Sequence, residues 1–238
     1  MTNPLISIII PVYNHAHTIM RSLDTVSAQT YRPLEVILVN DGSTDNFKEI
    51  ENLLLKNYSQ KDISLKIFHQ ENLDAGAARN RGFSESTGEY VIFWDADTLG
   101  KPEMIETMYQ VLQQHPEASY VYSQFKFGWK KIRSQIFDAE SLKKMNYIDT
   151  SSLQRRRDFV PFDESLARFQ DWDRWLTLLE QGKTGFFVPQ VLYTKIKRGR
   201  IGISSWLPSF WYGLAQKSKK VKKYEAARKI IIEKHGLE

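Results

Sequence analysis

Four short runs of β-branched and aromatic residues, each followed by a helical periodicity, constrain this chain more than any other feature. Leu5 to Pro11, Leu34 to Val39, Ile63 to Phe68 and Gly88 to Asp97 read as buried strands. Near-continuous apolar runs bounded by turn signals suit a parallel sheet covered on both faces. Between them Ile19, Leu23 and Val26, then Ile50, Leu53 and Leu54, recur at helical spacing. Asp45 is placed to cap the second of these helices, and Asp74 a third that passes Arg79 and Phe83. Pro102 opens a fourth, which runs to Gln114 and stops at His115-Pro116. Strands alternating with helices imply βαβ units, whose ligands bind beyond the carboxyl ends of the strands.

Polar residues gather at that edge. The last strand ends in Asp95-Ala96-Asp97, and an extended backbone would project both carboxylates to one side. Such carboxylates repel unless a cation or several donors lie between them. Mg²⁺ or Mn²⁺ takes oxygen ligands of this kind, completed by water and phosphate; the plainer alternative is an acidic turn. Asp41 at the second strand end can accept from a nucleobase imide or a ribose hydroxyl, while Gly42 lets the backbone turn beside a ligand or simply makes an ordinary turn. The stretch Asp74 to Gly82 is rich in small residues and carries Arg79 and Arg81. It offers close packing under a ligand and a guanidinium fork for phosphate, or a tightly packed helix with surface arginines.

Several classes are excluded. There is no cysteine, so thiolate metal sites, disulfides and cysteine nucleophiles are absent. The first strand-to-helix turn lacks a glycine-rich phosphate loop, and nothing reads as a Walker sequence. The net charge of +5 conceals a balance of +9 in residues 195–238 and −4 before them, which argues against a nucleic-acid binder. Met1-Thr2-Asn3-Pro4 has no basic leader region, and no apolar run approaches a membrane span of roughly 20 residues. A cytoplasmic protein is expected, peripheral at the inner membrane face if its tail binds lipid.

Pro11-Val12-Tyr13-Asn14, Val39 to Asp45, Asn72 to Asn80 and Asp95-Ala96-Asp97 together resemble the family 2 glycosyltransferases of GT-A fold, in order and spacing over residues 5–100. A weaker similarity continues through Gln170-Asp171-Trp172-Asp173 to about residue 204. The resemblance implies a Rossmann-like, mostly parallel sheet flanked by helices, in an α/β domain over residues 1–204. Residues 1–100 would form its nucleotide-binding half and 101–204 its acceptor half. It also implies inverting transfer of a sugar from a nucleoside-diphosphate donor, with UDP-sugar expected, assisted by Mn²⁺ or Mg²⁺. The acceptor would be a glycan or lipid-linked hydroxyl in surface-polysaccharide synthesis. By that similarity Pro11, Tyr13, Asn14, Asp41, Gly76, Arg79, Asp95 and Asp97 bind the donor. Asp97 and Asp95 serve the metal, Asp97 more directly. Asp171 stands at the position of the general base, where this chain reads Gln-Asp rather than Glu-Asp; Asp173 is the weaker candidate. A non-catalytic nucleotide-sugar binder would not need both Asp97 and Asp171, and a nucleotidyltransferase would need the missing phosphate loop.

The second half is less regular. Residues 126–148 read as strand and loop, and Arg155-Arg156-Arg157 as a solvated turn or a diphosphate contact. Asp171 to Leu176 opens a helix with Trp172, Trp175, Leu176 and Leu179 on its apolar side, and Asp171 is also a natural N-cap. Where relatives carry a late histidine near the metal, Tyr193 to Arg200 has none, leaving Lys197, Arg198 or Arg200 to supply positive charge. The extension 205–238 combines Trp206, Phe210, Trp211 and Tyr212 with a lysine-rich helix bearing a stripe of Leu214, Val221, Tyr224 and Ile231. That pattern fits an interfacial membrane contact through 206–235, or a stripe packed on the body with its lysines in water.

Overall fold

The computed structural model describes residues 3–59, 63–132, 134–196 and 219–237. The first half follows the expected alternation: β1 (Ile6–Val12), α1 (Ala16–Ser27), β2 (Leu34–Asp41), α2 (Phe47–Ser59), β3 (Ser64–Gln70), α3 (Asp74–Ser84) and β4 (Tyr90–Phe93). β1 pairs in parallel with β2 and β4, and β2 with β3. There follow β5 (Thr98–Gly100), α4 (Met104–Gln114), β6 (Ala118–Phe127), β7 (Lys130–Ile132), α5 (Ala139–Lys144), β8 (Leu153–Arg155), α6 (Gln170–Glu180), β9 (Thr184–Lys195) and α7 (Lys219–Lys234). Among the described residues the sheet runs β3-β2-β1-β4-β8-β6-β9-β5, with β7 paired to β6. β8 is antiparallel to both neighbours and β9 parallel to β6.

Why the first strands are apolar throughout is visible in their two faces. Ile6, Ile8 and Ile10 pack with Val36, Leu38 and residues of α1, α2 and α4, whereas Ile9, Ile37, Val39, Val91 and Phe93 pack with Ala78 of α3 and Phe162. Alternation along a strand sends successive side chains to opposite faces, so a doubly covered sheet has no polar face to spare. On α2, Leu54 is buried but Leu53 stays 53% exposed, against the expected apolar side.

The small-residue stretch on α3 serves this packing. A Cβ at Gly82 would overlap Cγ2 of Ile9 and lie 3.3 Å from Cγ2 of Val39. Gly82→Ala is therefore expected to lower stability by about 1–3 kcal/mol through overpacking. The check is the urea midpoint at unchanged slope; an unmoved midpoint would mean that α3 can lift from the sheet without loss.

The second half departs from expectation in two places, and in a third it takes one of the two alternatives that the sequence left open. Residues 139–144 are helical, and Asp138 caps them by accepting from Ser141 N at 2.8 Å. The arginine run is neither a solvated turn nor a diphosphate clamp as a unit. Arg155 donates to Ala118 O (3.0 Å) and Leu112 O (2.6 Å), and Arg156 to Ser86 O (2.7 Å) while lying over Phe83; only Arg157 is exposed. Two of these guanidinium bonds serve helix ends, Arg155 at Leu112 O of α4 and Arg156 at Phe83 O of α3 (3.1 Å). Finally, α7 packs on the body: Ile231 is buried with Leu142, Trp172 and Trp175, and Tyr224 meets Phe169 edge-on at 5.1 Å. Two members of the proposed stripe thus face protein. Leu214, the aromatic run 206–212, Lys197, Arg198, Arg200 and the side chain of Val221 lie outside the described residues. Among the described residues no helix is long and apolar enough to cross a membrane.

Candidate active site

At the carboxyl ends of β1 and β2 the polar residues first of all hold the loops. Asn14, at φ +55°, accepts through Oδ1 from Thr44 N (2.7 Å) and Asp45 N (3.1 Å), while its own N–H donates to Ser43 Oγ (3.1 Å). Asp45 accepts from Phe47 N at 3.3 Å, as a cap for α2 should, and also from Ala16 N of α1 at 2.9 Å. Asp41 is buried, its Oδ1 accepting from Gln70 Nε2 (2.8 Å) and Leu73 N (2.9 Å). Gly42 adopts φ +69°, and a Cβ there would stand 2.8 Å from Asn72 N. The turn therefore requires glycine. Tyr13 is 44% exposed beside this loop, and Pro11 sits within β1 opposite Val39.

Asp95 and Asp97 occupy a tight connection between β4 and β5, not an extended strand. Trp94 is buried, with Nε1 donating to Ser22 Oγ (3.0 Å), and Thr98 N folds back onto Asp95 O at 2.8 Å. The same-side geometry expected of an extended chain consequently does not apply. Asp95 is gripped by two cations: Arg79 Nη2 donates to Oδ1 at 2.9 Å and Lys195 Nζ to Oδ2 at 2.7 Å. Lys195 also donates to Asp149 Oδ2 at 2.5 Å, and Asp149 Oδ1 accepts from Tyr193 O–H (3.0 Å) and Ser151 N (2.9 Å). Burial opposes ionisation of Asp95, but Lys195 and then Arg79 outweigh it and hold the carboxyl well below its usual range. Burial likewise opposes the charge on Lys195, and Asp149 and Asp95 override it, pushing the ammonium well above its usual range. Arg79 additionally lies over Phe162 at 5.2 Å and reaches Gln170 Oε1 at 3.4 Å, which links α3 to the start of α6.

Asp171 is the second residue of α6, whose N-cap position is Phe169 at φ +61°. It is therefore not the cap itself, nor is Asp74, which begins α3 at φ +70° while Leu73 holds the cap position. Asp171 accepts from Asn146 Nδ2 (2.7 Å) and Trp172 N (2.9 Å). Burial raises its pKa and the charge of Asp149 adds to the rise. Asp173 points away: it is buried against α7, meeting Lys234 Nζ at 2.7 Å and His235 Nε2 at 2.9 Å. Asp173 anchors the C-terminal helix.

Arg79, Asp95, Lys195, Asp149 and Tyr193 thus form one ionic network, and Gln170 ties it to the helix start that carries Asp171. Gly76 belongs to this junction, since a Cβ there would lie 2.8 Å from Gln170 Nε2. Lys195, Asp149 and Asn146 are additions that the motifs do not mark. Lys195 stands two residues before the cations named as substitutes for the late histidine, and alternation along β9 puts it with Tyr193 on one face. Asp149 and Asn146 carry no local signal at all.

The donor set can be tested against a divalent ion. Among the described residues no three His, Cys, Asp or Glu side chains converge as a metal cage. Both oxygens of Asp95 already meet cations, which makes it a poor ligand as it stands; Asp97, two residues on, is a half-buried carboxylate in the same connection. One carboxylate with water and phosphate oxygens is a set that Mg²⁺ or Mn²⁺ accepts when it arrives with a phosphorylated ligand.

Comparison with known proteins adds three findings. The model of the family described as "Glycosyl transferase family 2" matches residues 7–173. Glycosyltransferase GlyG of Streptococcus pneumoniae is 40% identical over 111 residues, 46% of this chain and 36% of that protein. The chain spans 24–36% of the length of the first curated relatives it matches. Among solved structures, Staphylococcus aureus TarS 1-349 in complex with UDP-GlcNAc superposes with TM-score 0.72 at 18% identity, covering 94% of this chain and 69% of that one. Mannosyltransferase PcManGT from Pyrobaculum calidifontis, in complex with GDP-Man and Mn²⁺, gives TM-score 0.70 at 20% identity over 84% of this chain and 59% of that one.

Proposed function

The chain belongs to glycosyl transferase family 2, and from that membership we propose that it transfers a sugar, with inversion, from a nucleoside-diphosphate donor to a hydroxyl of a glycan or lipid-linked acceptor in surface-polysaccharide synthesis. The observation that carries this reading is the pairing of two environments linked through Arg79, which bonds both Asp95 and Gln170, the residue before Asp171. Asp95 is kept charged by Arg79 and Lys195, while Asp171 is made more basic than an ordinary carboxylate by burial and by Asp149. Pushing two carboxylates in opposite directions is how one site separates a positioning role from a proton-accepting one.

In this mechanism residues 1–100 bind the nucleotide and residues 101–204 the acceptor. Asp41 meets the donor base, with Pro11, Tyr13, Asn14 and Gly76 lining the approach. Arg79 and Asp95 hold the ribose and diphosphate side. Asp171 takes the proton from the acceptor hydroxyl as that oxygen attacks the sugar, and Asn146 and the Trp172 N–H keep its carboxylate aimed. Asp97 would hold Mn²⁺ or Mg²⁺, with water and diphosphate oxygens completing the shell. When bound, such an ion offsets charge that collects on the departing diphosphate. The nucleotide sugars in the TarS and PcManGT complexes support a donor of this class, and UDP-sugar is the form proposed.

Calorimetry against UDP, GDP and their sugar esters, with and without Mn²⁺, tests this directly. The wild-type chain is expected to bind one nucleoside diphosphate more tightly in Mn²⁺, and Asp97→Asn to bind it at the metal-free affinity in either condition. Affinity of that variant undiminished in Mn²⁺ would remove the metal assignment. Binding of none of these nucleotides would remove the donor class.

A further inference from the structure

We propose that the β6–β7 hairpin tip is a contact for an anionic lipid surface, with Trp129 entering the headgroup layer and Lys126 and Lys131 meeting lipid phosphates. This goes beyond sugar transfer and does not depend on it. Trp129 is 85% exposed at the turn between β6 and β7. Gly128 at φ +59° allows that two-residue turn. Lys126 and Lys131 are direct partners in the antiparallel ladder, and both are exposed, as is Lys130. Like charges opposite one another on neighbouring strands destabilise a ladder, so this short hairpin carries a repulsion that a bound anion would relieve. The sequence places no acidic residue between Ala118 and Phe137 to neutralise it locally.

A lipid surface fits this geometry better than a soluble polyanion does. The turn holds Trp129 out in solvent, and an exposed indole finds its preferred environment where an apolar body and a polar N–H are both accommodated, at a membrane interface. Lysines beside it add electrostatic attraction to anionic lipid. The tip is also held in place: Gly128 N donates to Lys195 O at 2.9 Å, and Gln124 Nε2 bonds Ile132 O at the hairpin base. Because Lys195 belongs to the ionic network, a membrane contact here would lie beside the proposed site.

Co-sedimentation of the full chain with phosphatidylcholine vesicles, with and without phosphatidylglycerol, provides the test. The wild type is expected to partition onto the anionic vesicles alone. Lys126→Gln/Lys131→Gln should weaken that partition by about thirtyfold, two lysines' worth of surface attraction, and Trp129→Ser several-fold. The chain has six tryptophans, so Trp129→Phe should remove the fraction of fluorescence that brominated lipid quenches. Circular dichroism confirms that each variant is folded. Partition unchanged in both sets of variants would overturn the proposal and move any lipid contact to the basic 205–238 extension. Absence of partition would overturn it too. Binding of soluble polyphosphate that needs the lysine pair, with no vesicle binding, would assign the pair to a soluble polyanion instead.

Discussion

Asp171→Asn is expected to leave donor binding essentially unchanged and to reduce transfer about a thousandfold, within the range of roughly 10²–10⁴ for a general base. Asparagine fills the same space and keeps the bond from Trp172 N on its one oxygen, while its NH₂ replaces the oxygen that accepted from Asn146, whose amide must turn to accept instead; the helix start should keep its fold while losing the ability to take a proton. The pH dependence has a definite sign. Burial and Asp149 raise the Asp171 pKa, and the proposed role needs the deprotonated form. Turnover should therefore fall as pH drops through this raised value, at a higher pH than for an unperturbed carboxylate. Asp149→Asn removes the neighbouring charge and should move that acidic limb to lower pH. Wild-type turnover in Asp171→Asn, or an acidic limb unmoved in Asp149→Asn, would take the base role away from this residue.

Lys195→Met is expected to be the most destabilising single change in the network, by about 3–5 kcal/mol, because it strips a buried ammonium from two carboxylates. The lysine side chain is 12% exposed and the carboxylates it joins 24% and 14%, so water cannot readily replace the lost partner. The pH signs again follow from the shifts. Asp95 has a depressed folded-state pKa, so its contribution to stability is complete above the usual carboxylate range and is lost as pH falls toward the depressed value. Lys195 has a raised folded-state pKa, so its share is complete below the usual lysine range and is lost only as pH rises through the raised value. The wild-type network should then be intact across neutral pH. Thermal or urea unfolding at neutral pH reads the effect, and Lys195→Met/Asp149→Asn should recover part of the loss by removing one orphaned charge. A single variant as stable as wild type would show that Asp95 and Asp149 do not rely on this lysine.

The proposed site could be named from the sequence because its segments are local. Asp41-Gly42, Arg79 within a small-residue helix, Asp95-Ala96-Asp97 and Asp171 at a helix start are short segments whose residue types suggest the proposed chemistry, and residues 7–173 match one family model. The outcome was poorer where a residue's partner is distant in the chain. Arg155 and Arg156 look like free cations in sequence, yet they donate to carbonyls of Leu112 on α4 and Phe83 on α3. Asp173, the weaker base candidate in sequence, shows no sign there of its partners Lys234 and His235. Asp95 gives no sign in sequence of the two cations, Arg79 and Lys195, that its oxygens meet.

By itself, then, the sequence determined the alternation of β1 to β4 with helices and the edge at which polar residues gather, because apolar periodicity and turn chemistry act between residues a few positions apart. Only the tertiary structure decided which charges meet. Lys195 lies 100 positions from Asp95 and 46 from Asp149. An ion pair depends on distance in space and on the exclusion of water, and neither is written in the spacing of residues along a chain.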